Sequence, residues 1–328
     1  MKRGNVFIIF HCCILLLLLS TLANAWVPPY LLGILNLLSL LFPYLLILHL
    51  FLTVIWFFKN RKIAFTFLLI TSIFYNPIRR WINISPYKTY TANHENSIKV
   101  LSYNVKYGST GWGNLRKYIL NQDADIILVQ ERDNNTALRK DLVKYPTVVL
   151  KTKHKIIRQA DLFNDKSKGN SFYADIDING KIVRVVNVYL EPFRLNKNMI
   201  GLTDDYCGKT ENNKLAALFS RLLPTFKTHE HQVKKIRKVV DNSPYPIILA
   251  GDFNSVPNSY EYYKLGENLK DAFVEAGNGS STSFHDYKFP LRLDYIFTSK
   301  CITSLSYKVD YSVKLSDHYP IIAEFLLN

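Results

Sequence analysis

The stretch PIILAGDFNSVPN, residues 246–258, ends an apolar segment with a carboxylate and an amide. Residues 247–250 are all apolar, which indicates a buried strand bounded by turn signals. Asp252 and Asn254 follow with one residue between them. Because side chains alternate along an extended chain, both are expected on the same face. The stretch therefore predicts a buried strand that aims two polar groups at one point.

After residue 97 the sequence consists of short strand candidates separated by turn residues. Asn179-Gly180 separates two strand candidates and is a strong signal for a two-residue hairpin. Helical patterns occur at 209–223 and 228–241. Strands mixed with helices favour a layered α/β domain, in which two sheets pack face to face with helices outside. The strand candidates are 98–105, 125–131, 171–178, 181–190, 246–254, 292–298 and 319–327.

Several of these strands end in polar residues, and the set indicates phosphate chemistry. Each residue alone fits a turn, where Asn and Asp are common. Together they offer oxygen ligands without a cysteine cluster, which suits Mg²⁺. An Asp beside a His suits a general base, and Asn side chains can donate to developing negative charge. We therefore expect metal-assisted attack of water on a phosphate ester. The residues are Asn104, Glu131, Asn187, Tyr189, Asp252, Asn254, Asp294, Asp317 and His318.

The N-terminal arm has the composition of a membrane anchor. Residues 1–90 contain eight Lys or Arg and no Asp or Glu, and residues 4–58 contain no charged side chain. A bilayer core needs about 20 apolar residues per helix, so this arm can cross more than once. Residues 1–80 are predicted to form about three transmembrane helices, at 6–25, 31–58 and 63–78. Alternatively, LANA before Trp26 is a signal-peptide cleavage site, and the remaining spans anchor the same domain.

Basic residues orient this anchor, because cytoplasmic loops are enriched in Lys and Arg. With the N-terminus inside, three crossings place the domain at 98–328 outside the cytoplasm, after a linker at 81–97. If the third run does not cross, the domain faces the cytoplasm instead. The chain is thus expected to be a multi-pass protein of the cell membrane, in contact with the lipid bilayer. The residues counted inside are Lys2, Arg3, Lys59, Arg61 and Lys62, against Arg79 and Arg80 outside.

Six short motifs resemble the endonuclease/exonuclease/phosphatase superfamily, whose members have the deoxyribonuclease I-like fold. They occur in the family's order and cover about 98–328. The resemblance implies a four-layer α/β sandwich, two packed sheets flanked by helices, and a hydrolase dependent on Mg²⁺ or Mn²⁺. A hydrophobic arm in front of such a domain is also similar to membrane-anchored bacterial members of the group. The motifs are LSYNV, DIILVQE, NVYL, GDFNS, RLDYIF and SDHYP.

The resemblance also implies a role for each matching residue. Asp252 would orient the attacking water, Asn254 would bind a phosphate oxygen, and His318 would pair with Asp294. Tyr189 stands where many members have His, and Lys106 stands where some nucleases have an acid. The predicted catalytic residues are His318, Asp252, Asn254, Asp294 and Tyr189, the metal ligands Glu131, Asn104 and Asp317, and the phosphate-binding residues Asn187 and Arg292.

Three hypotheses for the substrate follow. The first is nucleic acid, cleaved by a nuclease of the endonuclease or exonuclease type. The alternative is a lipid headgroup, cleaved by a phosphodiesterase or phosphatase of the sphingomyelinase or phosphoinositide type, which the anchor favours. A third is a membrane-tethered binding module without activity, which predicts a broken catalytic position. The expected partners are a phosphate-ester substrate and the lipid bilayer, and no protein partner is predicted.

Overall fold

The computed structural model describes residues 3–84, 97–132, 142–163, 169–193, 211–286 and 290–327. Most of the predicted linker therefore lies outside the described residues. The helices are α1 (Arg3–Ser20), α2 (Pro29–Leu32), α3 (Ile34–Lys59), α4 (Arg61–Thr71), α5 (Tyr75–Arg79), α6 (Trp112–Asn121), α7 (Glu211–Asp241), α8 (Tyr260–Leu265) and α9 (Ala272–Ala276). The strands are β1 (Ile82–Asn83), β2 (Ser97–Asn104), β3 (Ile126–Gln130), β4 (Leu142–Lys144), β5 (Val148–Thr152), β6 (Lys155–Asp161), β7 (Asn170–Ile178), β8 (Lys181–Tyr189), β9 (Ile247–Asp252), β10 (Lys270–Asp271), β11 (Gly279–Ser280), β12 (Asp294–Thr298), β13 (Ile302–Val309) and β14 (Ile321–Leu327).

Within the described residues, the C-terminal part forms two six-stranded sheets packed face to face. One sheet has the order β10-β12-β9-β8-β7-β6 and the other β13-β14-β2-β3-β5-β4. Side chains such as Leu128 from one sheet and Ile248 from the other share a single buried core. The second face of the first sheet is covered by α7, through Ile236, and that of the second sheet by α6, through Ile119. These four layers agree with the architecture expected from the sequence.

The direction of the strands places several strand ends at one edge of the sandwich. Strands β2 and β3 are parallel, and so are β8 and β9. Tyr189 at the end of β8 is in register with Asp252 at the end of β9, and Asp252 is in register with Asp294 of β12. This register explains why the polar residues cluster, because the strand ends that carry them are hydrogen-bonded neighbours.

The local signals for strands and turns are confirmed more fully than those for helices. All seven predicted strands are present, and the hairpin turn has positive φ angles at Asn179 and Gly180. The two predicted helices form one helix, α7, which continues through Pro224. Leu222 and Phe226 on either side of that proline are buried, so their packing stabilises the turns that proline alone would interrupt.

In the N-terminal part, Val6–Ala25 and Ile34–Lys59 are long and apolar enough to cross a membrane, by length and composition. The third predicted span is divided into α4, a short 3-10 turn and α5. This segment leads from the end of α3 at Lys59 back to the C-terminal domain. It is not one long helix, and the topology of three crossings stays a prediction.

A chain of buried hydrogen bonds holds the three helical segments together. The indole nitrogen of Trp56 can only donate, so Nδ1 of His11 accepts this bond at 3.1 Å. Nε2 of His11 then donates to Nδ1 of His49 at 2.9 Å, and Nε2 of His49 donates to the hydroxyl of Thr71. Thr71 in turn donates to the carbonyl of Phe67. Each side-chain polar group in this series of hydrogen bonds has a partner, as apolar surroundings require.

Candidate active site

A buried Asp–His–Asp constellation lies at the edge where the strands end. Nδ1 of His318 lies 2.7 Å from Oδ2 of Asp294, and Nε2 lies 3.9 Å from Oδ2 of Asp252. One ligand-type atom from each of the three residues lies within 4.8 Å of the other two. All three side chains are buried. The structure therefore brings together the His and both carboxylates that the sequence motifs predicted.

The charges of this constellation shift the protonation of its members. Burial alone lowers the pKa of His318, but the neighbouring carboxylates of Asp294 and Asp252 outweigh it and raise the pKa to about 10. Burial raises the pKa of the Asp252 carboxyl to about 7, against the lowering effect of His318. At neutral pH His318 is thus a positively charged imidazolium, protonated on both ring nitrogens, whereas Asp252 is close to half-protonated. A carboxyl group with this pKa can exchange a proton near neutral pH.

Asn104 connects this constellation to Glu131. Its side-chain amide nitrogen donates to Oε1 of Glu131 at 3.0 Å and to Oδ2 of Asp252 at 2.9 Å. Its oxygen accepts a bond from the backbone nitrogen of Lys106. In this arrangement Asn104 bridges two carboxylates with its N–H groups, so it positions the acids. Its predicted role as a metal ligand stays a prediction.

Tyr189 donates its phenolic hydrogen to Glu131. The hydroxyl lies 3.0 Å from Oε1 of Glu131, and the residue is buried. Burial, together with the Glu131 carboxylate, raises the pKa of the phenol far above its ordinary value. Tyr189 is therefore a neutral donor at any physiological pH, and its contact in this structure is the carboxylate of Glu131.

Unusual backbone angles aim these side chains. Glu131 and Asn254 both have positive φ, at 51° and 47°, and Gly251 has φ 140°. A Cβ atom at Gly251 would lie 1.9 Å from the carbonyl oxygen of Val188, so only glycine fits beside β8. Asn254 then donates from its side chain to the carbonyl of Leu190 and from its backbone to Oδ1 of Asp252. Strain of this kind is concentrated at functional sites.

Two predicted phosphate-binding residues are not brought to this cluster. Asn187 is buried, and its amide nitrogen donates to the carbonyls of Val129 and Val149. Arg292 is also buried, and its guanidinium forms two bonds to the carboxylate of Asp271. Both side chains are committed to the scaffold because a buried donor without a partner is costly. The predicted contact of either residue with phosphate stays a prediction, and in this structure both side chains bind the protein instead.

Asp317 lies at the rim of the cluster, where Lys106 holds it. The ammonium of Lys106 lies 2.6 Å from Oδ2 of Asp317 and 3.4 Å from Oδ2 of Asp286. These carboxylates outweigh partial burial and raise the pKa of Lys106. The lysine that replaces an acid of some nucleases thus neutralises two rim carboxylates.

The segment around Ser283 supports the site without any recognisable sequence signal. The hydroxyl of Ser283 accepts bonds from the backbone nitrogens of Leu293 and Asp294. Phe284 forms a β-bridge with His318 and packs its ring edge-to-face on the imidazole at 5.0 Å. A serine and a phenylalanine in a turn-rich stretch are too common for their sequence alone to predict these contacts.

The residues present fit a divalent cation. Oδ1 of Asp294 is buried without a hydrogen-bond partner among the described atoms. Carboxylates at Asp252 and Glu131 lie on either side of the Asn104 amide. Hard oxygen donors of this kind are the ligands that Mg²⁺ and Mn²⁺ prefer. Glu131 is the best placed to hold such an ion because part of its side chain remains accessible.

Comparison with known proteins gives two matching families. The model described as "Endonuclease/Exonuclease/phosphatase family" matches residues 101–318. A second model, for a domain of unknown function (DUF8431), matches residues 4–81. No curated protein matches the chain.

Similar solved structures share the fold at low sequence identity. A D. rerio TDP2 humanized by 14 mutations is 16% identical, with a TM-score of 0.51, covering 70% of this chain and 99% of its own. An endonuclease/exonuclease/phosphatase from Bacteroides vulgatus is 17% identical, with a TM-score of 0.51, covering 71% of this chain and 99% of its own. An endonuclease/exonuclease/phosphatase family protein from Bacteroides thetaiotaomicron is 15% identical, with a TM-score of 0.51, and the match covers 71% of this chain and 98% of that protein. The deoxyribonuclease I-like sandwich expected from the motifs is thereby confirmed.

Proposed function

Because the chain belongs to the endonuclease/exonuclease/phosphatase family, we propose that it hydrolyses a phosphate ester with the help of a divalent cation. The observation that carries this proposal is the buried constellation of Asp294, His318 and Asp252, linked through Asn104 to Glu131. None of these positions is broken, which argues against a binding module without activity.

The roles follow from the protonation states. The protonated imidazole of His318 donates from Nε2 to an oxygen of the substrate phosphate, while Asp294 fixes the ring from the other side. Asp252 accepts a proton from the attacking water, which its raised pKa allows near neutral pH. Asn254 donates to a second phosphate oxygen. A divalent cation held by Glu131 would polarise the phosphate and lower the pKa of water.

The second part of the proposal concerns the N-terminal helices. Two apolar helices of sufficient length precede the domain, and a third segment returns to it. We propose that all three cross the cell membrane, with Lys59, Arg61 and Lys62 on the cytoplasmic side and the active site outside. Whether the substrate is nucleic acid, as the sequence suggested first, or a lipid headgroup is not decided by family membership.

The reaction is tested with the full-length protein in detergent micelles and bis-p-nitrophenyl phosphate. Release of p-nitrophenol is expected with Mg²⁺ or Mn²⁺ and not with EDTA. His318→Gln should lower kcat by about 10²- to 10⁴-fold, the usual contribution of a positioned acid or base. His231→Gln, an exposed histidine of α7, is the matched control and should leave the rate unchanged. Activity that survives in EDTA, or an unchanged kcat in His318→Gln, would overturn the proposal.

A further inference from the structure

The membrane helices bind directly to the loop that follows Asp252. The side-chain nitrogen of Asn24 donates to the carbonyl of Asn258 at 3.0 Å, and the hydroxyl of Ser39 donates to the same carbonyl at 2.7 Å. Asn36 donates to both carboxylate oxygens of Glu261 and accepts from the backbone nitrogen of Tyr260. These contacts fix the position of the catalytic domain relative to α3.

An apolar cluster lies between α3 and the catalytic histidine. Leu40 of α3 and Trp81 pack against a small cluster of Val256, Phe284 and Leu291. Phe284 in turn lies edge-to-face on the ring of His318, with 5.0 Å between ring centroids. The active site is therefore next to the anchor.

The length of α3 gives the height of this contact above the membrane. Its 26 residues span about 39 Å at 1.5 Å per residue. The hydrocarbon core is about 30 Å thick, so about 9 Å, or roughly six residues, extend beyond it. If the far end at Lys59 marks one boundary, the first six residues lie in the headgroup layer. They include Asn36 and Ser39, whose side chains bind the catalytic domain, and Leu40 is the next residue.

Exposed aromatic side chains mark the same level. Trp26 is 77% exposed and Tyr30 is 57% exposed, in the turn between α1 and α3. Trp and Tyr are enriched where the hydrocarbon meets the headgroups. The length of α3 and the position of these two side chains thus agree that the domain sits directly on the headgroup layer.

A polynucleotide suits this position poorly. Polynucleotide binding depends on several free Lys or Arg contacts to phosphate. Among the described residues, the two basic side chains that the motifs placed near the site are already paired. Lys106 binds Asp317 and Asp286, and Arg292 binds Asp271.

We propose that the substrate is a phospholipid of the membrane in which the protein is anchored, with the headgroup phosphate as the site of attack. This rests on the proposed function of the site. The oxygen of water bonds to phosphorus and the phosphorus–oxygen ester bond breaks. The alcohol leaves with one proton of the water, and the hydroxyl stays on the phosphate.

The test uses the full-length protein in vesicles of phosphatidylcholine, phosphatidylethanolamine, phosphatidylglycerol and phosphatidic acid in equal parts, with Mg²⁺ or Mn²⁺. Protein-free vesicles of the same lipids with isotope-labelled acyl chains are added, and products are measured by mass spectrometry. Lipids that share a bilayer with the protein should be hydrolysed about 100-fold faster than lipids of the added vesicles, because the anchor raises their effective concentration. His318→Gln in the same vesicles should lower the hydrolysis of both lipid populations by about 10²- to 10⁴-fold.

The controls separate this inference from the proposed function. A short oligonucleotide and bis-p-nitrophenyl phosphate are assayed with the same vesicles. If either soluble ester is hydrolysed while no lipid is, or both vesicle populations are hydrolysed equally, the inference about the membrane substrate is wrong and the phosphoesterase proposal stands. If no ester is hydrolysed with either metal, both fail.

Discussion

At the scale of single residues, the site depends on how each polar side chain is partnered. Asp252, Asn254 and His318 all occur in stretches that would be ordinary turns in another protein. Asp252 and His318 differ from ordinary turn residues because they are buried, and a buried carboxylate or imidazole needs a partner. The partner of His318 is Asp294, at 2.7 Å. The protonation of the histidine therefore depends on that carboxylate.

Asp294→Asn is expected to lower the pKa of His318 and to change how stability depends on pH. In the metal-free protein the carboxylates raise this pKa from 6.5 to about 10. A raised histidine pKa stabilises the fold fully below pH 6.5, and this contribution is lost as the pH rises through about 10. The difference in thermal midpoint between wild type and Asp294→Asn should therefore shrink across that range in EDTA. Glu324→Gln, at an exposed position of β14, is the control. A difference independent of pH would contradict the assignment.

Tyr189→Phe is expected to weaken the function of Glu131 without altering the fold. The change removes the phenolic bond to Oε1 of Glu131 and leaves the buried ring in place. Residues that orient a metal ligand typically contribute about 10- to 100-fold in metal affinity or activity. Titration of activity with Mn²⁺ should show a higher half-saturating concentration. Tyr307→Phe, a buried tyrosine of the shared core, is the comparison, and equal effects of the two changes would argue against a role for Tyr189.

The sequence predicted several of the residues that meet at the site, but not how their polar atoms are used. The pairing of His318 with Asp294 followed from the family motifs. By contrast, the amides of Asn104 and Asn187 could not be assigned, because an amide can bind a cation, a phosphate or a backbone carbonyl with equal chemical ease. Arg292 was placed near phosphate by its motif, whereas Asp271, which captures it, lies 21 positions away in the chain.

At the scale of elements, β9 and the loop after it position the central acid. Gly251 has φ 140° and passes against the backbone of Val188 in the parallel neighbour β8. The next residue is Asp252, so any shift of this strand moves the acid. This explains why a glycine precedes the aspartate in a strand that is otherwise apolar.

Gly251→Ala is expected to lower stability and activity together. The added Cβ would overlap the carbonyl of Val188 and force a backbone angle that L-residues avoid, which costs about 1–3 kcal/mol or more. Urea denaturation of the detergent-solubilised protein measures the loss. Gly113→Ala in α6 meets no atom within 4 Å and should be neutral or slightly stabilising. Full activity of Gly251→Ala would contradict the role given to the glycine.

Elements with a strong local signal were predictable, and elements held by their neighbours were not. The seven apolar strands and the Asn179-Gly180 turn are specified by composition. Strand β6 is largely exposed and carries charged residues, so its pairing with β7 depends on the sheet and not on its own pattern. Helix α7 continues through Pro224 because buried side chains on both sides hold it.

At the scale of the whole molecule, the N-terminal segment and the C-terminal domain share one interface. Asn83 donates to the carbonyls of Phe273, Val274 and Gly277, and Arg292 donates to the carbonyl of Arg80. The sequence predicted an anchor and a domain joined by a linker. It could not predict their contact, because Asn36 and Glu261 are 225 positions apart.

Asn36→Ala is expected to loosen the catalytic domain from the anchor. Glu261 is fully buried and would lose a partner to both carboxylate oxygens, which costs about 1–3 kcal/mol or more for a charged group. Thermal unfolding in detergent should show a lower midpoint, and limited proteolysis should release the domain earlier. Thr66→Ala, which removes only a local bond on an exposed face of α4, is the control. Unchanged unfolding and proteolysis would mean that the interface is not held in this way.

Isotope incorporation tests most directly whether this site directs water to phosphorus. The full-length protein is assayed in H₂¹⁸O with bis-p-nitrophenyl phosphate and Mn²⁺, and both products are analysed by mass spectrometry. We expect one ¹⁸O atom in the phosphate product, none in p-nitrophenol, and about 10²- to 10⁴-fold slower product formation in His318→Gln. Label in p-nitrophenol, or an unlabelled phosphate, would contradict the account.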